Sequence, residues 1–559
     1  MVNGAQLIAR GLVSAGVRRV FSLSGNQVLS LYEALDREGI AITHTRHEGA
    51  AVHMADAWAR LTGEVGVCLV TAGPGHANAL GALAMAESGE SPLVLLSGHA
   101  PREHVGAATA LSGQAKAGSF QAMDQVALAR PLSRWAEVAT DAAQLPSLLQ
   151  SAFARARCGR AGPVSLSLPV NVLESTVPNE GAHMAASTGP SDPPLQDARP
   201  FREIVAKLRA AARPLILAGP SAARSSLHAA LVAFCTHTHV PLLVVDHPRG
   251  LTDPALGRAA QALPWADTVL LFGKTQDYRI GYGAALAGGC GLLQIDPVKE
   301  EIGRYRAPEI GIVADLKAAV AQLIEAAHAP DAAPWPGSDW AAEVRELVET
   351  PVFSASVEVG DTSDGIHPWR VLDMLAQVID ERGGREVCLV FDGGEFGQWA
   401  RARLAARLQR EAPRHLVNEP SGAIGYAVPF AIAAKLVRPA ATVVAVAGDG
   451  AFGFYAMELE TAARAGAPIL MVVGNDGAWG TERHLQRARY GPDRAVATDL
   501  LPARYDLLAQ ALGGEGELVT EGESLRPAFE RAYAAVAAGR VCLVNARIRS
   551  VASPAGAPP

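Results

Sequence analysis

Residues 441–480 read ATVVAVAGDGAFGFYAMELETAARAGAPILMVVGNDGAWG. The run Thr442–Ala447 is apolar at almost every position and rich in valine, which suits a strand covered on both faces. It stops at Gly448, Asp449 and Gly450; a helical pattern follows, then a second strand-like run, Ile469–Val473, that ends at Asn475 and Asp476. Strand, glycine turn, helix and strand in this order form the repeating unit of a parallel α/β sheet. Glycines let a backbone approach an anion closely, and the helix after them turns its partly positive N-terminus toward it. Asp449 offers a carboxylate oxygen and Asn475 an amide oxygen, both at strand ends that could be adjacent. Mg²⁺ takes a few protein oxygens and completes its octahedron with phosphate and water. The stretch therefore predicts a clamp for a metal and a diphosphate, although GDG and ND are each, taken alone, also ordinary turns.

The same alternation recurs outward in both directions. GVCLVTAGPG and SPLVLLSG precede a Pro-, Ala- and Ser-rich stretch over 175–200; RPLILAGP, PLLVVDH, DTVLLFGK and GLLQID precede another over 327–365; REVCLVFDGG and RVCLVNARI flank the stretch quoted above. Apolar runs separated by helices indicate parallel sheets covered on both sides, and the two composition shifts read as linkers. We therefore expect three doubly wound α/β domains, at 1–175, 190–330 and 365–550, with ligands beyond the carboxyl ends of the strands in the first and third. The closing VASPAGAPP, from Val551, reads as a disordered tail.

Composition narrows the function. Hydrophobic residues make up 49% and charged ones 19%, mean hydropathy is +0.14, and the net charge of −7 with a pI near 6.1 supplies no basic field for a phosphate backbone. Nucleic acid is excluded as a partner on that ground. The six cysteines show no metal-ligand spacing and read as free thiols in a reducing compartment. No uninterrupted apolar run reaches the length of a membrane span and the N-terminus carries no export-signal pattern, so the expected address is the cytoplasm.

GDG, followed after residues 451–474 by Asn475 and Asp476, resembles the diphosphate and Mg²⁺ motif of thiamine-diphosphate enzymes. The resemblance spans nearly the whole chain and is to the acetolactate-synthase-like superfamily, with benzaldehyde-lyase and 2-hydroxyacyl-CoA-lyase relatives. THTRHEGAAVHMADAWARLTG is similar to the segment that carries the catalytic glutamate, TAGPGHANAL to the cofactor-facing loop and SFQAMDQVALARPLSRWA to the segment with an active-site glutamine. RVFSLSGNQVLSLYEAL and SGAIGYAVPFAIAAKL match further segments of the same subgroup.

The resemblance implies a role for each matching position. Glu48 would hydrogen-bond the cofactor's aminopyrimidine and promote loss of its C2 proton; Gln121 would face the substrate or cofactor. Gly73, Asn78, Gly394, Glu395, Gly448 and Gly450 would contact the cofactor, and Ile424 would stand between its two rings to bend it. Asp449 and Asn475 by side chain, and Gly477 by its carbonyl, would hold Mg²⁺, with Asp476 where many relatives have a second Asn. Ser24, Gln27, Phe120, Trp479, Thr481 and Glu482 are candidate substrate contacts. Read without the resemblance, Glu48 is also a plausible helix-start carboxylate, Ile424 ordinary core, and Ser24 and Gln27 turn formers.

The expected function is a thiamine-diphosphate- and Mg²⁺-dependent carboligase or lyase, acting on a 2-ketoacid, aldehyde or 2-hydroxyketone. The alternatives are a 2-hydroxyacyl-CoA lyase or an oxalyl-CoA-decarboxylase-like enzyme and, from another class, a regulatory protein that binds the cofactor without catalysis. WGTERHLQRARYGPDR, from Trp479, lacks the acceptor-pocket residues of the biosynthetic synthases, and FGKTQDYRIGYG lacks the flavin-binding run. Neither FAD nor ADP or CoA is predicted for the middle domain. The expected assembly is a homodimer or homotetramer with active sites shared between subunits.

Overall fold

The computed structural model describes residues 1–101, 120–178, 197–223, 225–328, 335, 339–353, 362–382, 386–404, 415–416 and 421–553. Two compact units emerge, Met1–Ser191 and Asp192–Pro559. Among the described residues the first holds one six-stranded sheet; the second holds a five-stranded and a six-stranded sheet, and every strand pair within these three sheets is parallel. The chain is thus built from three parallel-sheet α/β domains.

In the first sheet the spatial order is Ala41–His44, Arg19–Leu23, Gly66–Val70, Leu93–His99, Pro163–Pro169, Trp135–Val138. Gly66–Val70, Leu93–His99 and Pro163–Pro169 are buried at every position, as expected of strands covered on both faces. The chain leaves Arg19–Leu23 toward one edge and returns on the other side at Gly66–Val70, so a crevice opens where Ser24 to Gln27 and Thr71 to Gly73 follow these strands.

The last sheet repeats this strand order: His415–Leu416, Val387–Phe391, Thr442–Gly448, Leu470–Asn475, Cys542–Arg547, Glu515–Val519. Its switch point lies between Val387–Phe391 and Thr442–Gly448, where Asp392 to Gly394 meet Gly448 and Asp449. Helices Pro368–Glu381 and Leu525–Ala537 pack Val371, Leu375, Phe529 and Val536 against Leu389, Val444, Val472 and Val544. The middle sheet runs Leu242–Val244, Pro214–Ala218, Thr268–Phe272, Gly291–Asp296, Ile310–Val313.

Three expectations are corrected. Part of the stretch 327–365 is a folded helix, Asp339–Glu349, because Trp340 and Val344 bury themselves beside Leu215 and Leu217, and the Trp340 indole donates to the Pro214 carbonyl at 2.7 Å. Part of 175–200 is also ordered: Thr176–Val177 pairs with Val2–Asn3, and a helix starts at Arg199. The start of the expected tail is tied down as well. The Trp399 indole donates to the Val551 carbonyl at 3.2 Å, and the Ser553 amide donates to Glu395 Oε2 at 2.6 Å.

Candidate active site

In the N-terminal unit, Glu48 opens the helix Glu48–Thr62, with His47 as its cap. Only 8% of Glu48 is exposed, and its Oε2 accepts from Asn78 Nδ2 at 3.0 Å. Asn78 comes from the helix Pro74–Ser88, so the carboxylate and its amide partner sit on neighbouring helix starts. The loop between them is tight. A Cβ on Gly75 would stand 3.3 Å from Glu48 Oε1, and Gly73 has φ +57° with the Gln121 carbonyl 2.5 Å from where its Cβ would be. Only glycine tolerates that approach.

Gln121 itself adopts φ +56°, a left-handed conformation uncommon for a residue with a side chain. The structure thus brings Glu48, Asn78, Gly73 and Gln121 around one glycine loop. Gln125, which the sequence reading passed over, holds that loop: its Oε1 accepts from the Gly73 amide, and its Nε2 donates to the Gly98 carbonyl and Ser167 Oγ, each at 3.0 Å. Gln27 is buried and its amide oxygen already accepts from Thr71 Oγ1 at 2.8 Å, while Ser24 is exposed at its strand end. Phe120 is 71% exposed.

In the C-terminal unit a cleft of about 240 Å³ opens at the switch point of the last sheet. Its walls include Gly394, Glu395, Ile424, Gly448, Asp449, Gly450, Trp479, Thr481 and Glu482 from the expected set. To these the structure adds Asp476, Ala478, Gln398, Arg249 from the middle domain, and Ile548, Arg549 and Val551 from the last described stretch of the chain. Gly450 must be glycine, since a Cβ there would meet the Trp479 ring at 2.8 Å.

Asp449 is 1% exposed, and neither of its carboxylate oxygens has a hydrogen-bond partner. Burial first, and the neighbouring Asp476 carboxylate second, push its carboxyl up to about 7. A buried, unpartnered carboxylate facing a second one is electrostatically unfavourable by itself and is relieved by a hard cation with oxygen ligands. The residues present therefore fit a divalent metal.

Two expected metal ligands are directed elsewhere. Asn475 is still inside its strand, paired with Arg547; its Nδ2 donates to Asn545 Oδ1 and the Ala503 carbonyl, each at 3.0 Å, and its Oδ1 accepts from Arg547 Nη1 at 3.2 Å. The Gly477 carbonyl accepts from the Leu500 amide at 2.7 Å. The next residue differs. Ala478 bridges Asp499 through bonds made by Gly477 and Trp479, which leaves its own carbonyl on the opposite side of the segment. Alternation was the missed signal: the last residue of a strand belongs to the sheet, and the one after it is the first to turn toward the crevice.

Comparison with known proteins agrees with this architecture. The models of the thiamine pyrophosphate enzyme N-terminal TPP-binding domain, central domain and C-terminal TPP-binding domain match residues 2–128, 201–323 and 392–546. A probable acetolactate synthase of Mycobacterium bovis is 33% identical over 95% of this chain and 94% of its own.

The chain belongs to the thiamine pyrophosphate enzymes. This thiamine pyrophosphate enzyme is also 31% identical to human 2-hydroxyacyl-CoA lyase 2, over 93% of this chain and 85% of that one. It is 28% identical to a 2-hydroxyacyl-CoA lyase of Oryza sativa, over 96% and 94%. It is a thiamine-diphosphate-dependent carboligase or lyase of acetolactate-synthase-like type. Among the described residues no helix is long and apolar enough to cross a membrane.

Proposed function

We propose that this enzyme makes or cleaves a C–C bond beside the carbonyl of a 2-ketoacid, aldehyde or 2-hydroxyketone, using thiamine diphosphate held through Mg²⁺. The single observation that carries the metal is the buried Asp449 carboxylate, which has no hydrogen-bond partner and stands beside the half-buried Asp476. Asp449 and Asp476 would bind Mg²⁺ by side chain, and Ala478 would add its carbonyl. Gly448 and Gly450 would lie against the diphosphate.

Thiamine diphosphate supplies a carbanion at C2 that adds to a carbonyl carbon and accepts the electron pair of the bond that breaks. Glu48, shielded and oriented by Asn78, would exchange a proton with N1′ of the aminopyrimidine. Ile424 would press between the two rings. Gln121, Trp479, Thr481 and Glu482 would meet the substrate, with the buried, unpartnered Thr481 hydroxyl as a ready hydrogen-bonding group.

Glu48 and Asp449 lie in different compact units, and we propose sites shared between two subunits of a homodimer or homotetramer. Exposed apolar side chains support association: Phe454 (55%) and Leu501 (84%) in one unit, Phe120 and Leu128 (41%) in the other. The free thiols of Cys68, Cys235, Cys290, Cys388 and Cys542 suit a reducing compartment such as the cytoplasm.

The test is calorimetric titration with thiamine diphosphate with and without Mg²⁺, followed by a panel of 2-ketoacids, hydroxyketones and acyl-CoAs. Metal-dependent binding and turnover of a 2-ketoacid or hydroxyketone are expected. Turnover of acyl-CoAs alone would replace the substrate reading with that of a 2-hydroxyacyl-CoA lyase.

A further inference from the structure

Asp392 follows the strand Val387–Phe391 at the mouth of the crevice, and 2% of it is exposed. Its Oδ1 accepts from the amides of Gly393 and Gly425, both at 2.8 Å, and its Oδ2 accepts from the Ala427 amide at 2.9 Å. Asp392 is itself held to the next strand, since its amide donates to the Val446 carbonyl at 3.0 Å. Between the two captured amides, Tyr426 Oη donates to the Phe391 carbonyl at 2.8 Å. Gly425, Tyr426 and Ala427 are therefore all bonded to residues 391 and 392. The residue just before them, Ile424, lines the cleft.

The loop has little freedom to settle elsewhere. Gly425 has φ +95°, and a Cβ on it would stand 2.4 Å from that of Phe454, whose ring meets Trp479 edge-on at 6.3 Å. Burial raises the Asp392 carboxyl to about 6 although three amide donors favour its ionised form, so the group is expensive to keep where it is. A carboxylate is the one side chain that can accept from all three amides without presenting a donor to any of them.

We propose that Asp392 is a positioning residue: through Gly425 and Ala427 it sets where Ile424 stands in the cleft, and through Ile424 the bend of the bound cofactor. This rests on the proposed reading of Ile424 as the group between the cofactor's rings. Asp392 need not touch the cofactor to act. Removing it should alter cofactor activation more than cofactor affinity.

The experiment uses the full-length D392N protein, which is nearly isosteric but sets an amide donor against a backbone N–H. In the cofactor-free protein, hydrogen–deuterium exchange of the peptide over 421–430 should speed up by at least about tenfold while that over 442–448 stays unchanged. With thiamine diphosphate and Mg²⁺ bound, exchange of the C2 proton should slow about tenfold while the cofactor Kd stays within about threefold. I424A should show the same split, and D392N/I424A should be no slower than the slower single variant, because both act at one point.

Unchanged C2 exchange in D392N, or additive effects in the double variant, would overturn the proposal. So would loosening of 442–448 together with a parallel loss of affinity, which is the signature of a merely structural group. A wild-type protein that binds no thiamine diphosphate would sink the proposed function instead. The amide-exchange arm reads Asp392's hold on the Ile424 loop independently of that.

Discussion

Asp476 and Asn475 are adjacent, yet one faces the cleft and the other the sheet, and their substitution should separate binding from stability. Asp476→Ala removes an anionic ligand, so Mg²⁺-dependent affinity for thiamine diphosphate should fall at least about tenfold in calorimetry. Asn475→Ala breaks three hydrogen bonds of the strand end and should lower stability by about 1–3 kcal/mol in denaturant melts, with the smaller effect on affinity. The reverse pattern would return the metal to Asn475. His76 makes a different residue-scale prediction: it is fully buried, its Nδ1 lies 2.8 Å from Ser97 Oγ, and burial pushes it down to about 4. Folding thus favours the neutral ring, so its contribution to stability is complete above the unfolded value of 6.5 and is lost as pH falls toward 4. His76→Gln should remove up to about 1.4 kcal/mol per pH unit from the slope of stability over that window. An identical slope in melts at several pH values would mean that the ring is protonated in the folded state. At this scale the sequence was readable where chemistry is local, as in the turn around Asp449. Under the proposed metal reading the expected ligands Asn475 and Gly477 stand one position early, because a side chain's direction depends on where the strand stops.

The helix Gly394–Leu404 shows how an element is held in place from outside its own domain. Its Arg401 and the middle domain's Asp253 form a buried ion pair, with Nε to Oδ1 at 2.8 Å, and the guanidinium holds the Asp253 carboxyl well below the usual range against the opposing effect of burial. Arg401→Ala leaves an uncompensated buried carboxylate and should cost about 3–5 kcal/mol in chemical denaturation, while Arg401→Met with Asp253→Leu should recover most of it. Equal losses for both variants would show that packing rather than charge sets the cost. Beside this pair, the backbone amide of Arg249 donates to His247 Nδ1, so a neutral ring carries its proton on Nε2, 3.5 Å from the Gln398 side-chain nitrogen. Turning the Gln398 amide over would let its oxygen, otherwise unpartnered, accept that proton. Elements differed in how legible they were. Central strands such as Gly66–Val70 and Thr442–Gly448 are continuous apolar runs that announce themselves. Ala41–His44, Trp135–Val138 and Glu515–Val519 lie at sheet edges, are partly exposed, and carry polar residues that no periodicity separates from loops. Helix Asp339–Glu349 was hidden for another reason: its apolar contribution is concentrated in Trp340 and Val344, within a stretch whose Pro and Asp content suggested a linker.

Across the whole molecule, each of the three sheets is closed by one continuous stretch of chain, which is why the alternation of apolar runs and helices displayed the architecture so fully. The proposed assembly between subunits has no such periodic trace, because exposed apolar side chains such as Leu501 are scattered through loops. The cleft draws its walls from a long span of sequence, from Pro248 to Val551. Deleting residues 551–559 removes the bonds to Trp399 and Glu395 and should raise the KM for substrate at least about threefold, with the thermal midpoint little changed. An unaltered KM would make the segment a passive cover. The same segment sets an order of events during synthesis. Residues 548–553 leave the ribosome after every other wall of the cleft, directly behind the strand Cys542–Arg547 that completes the last sheet, so sheet and pocket are finished together. An enzyme of reactive carbanions is thereby kept from completing its pocket until translation has passed all of its described parts.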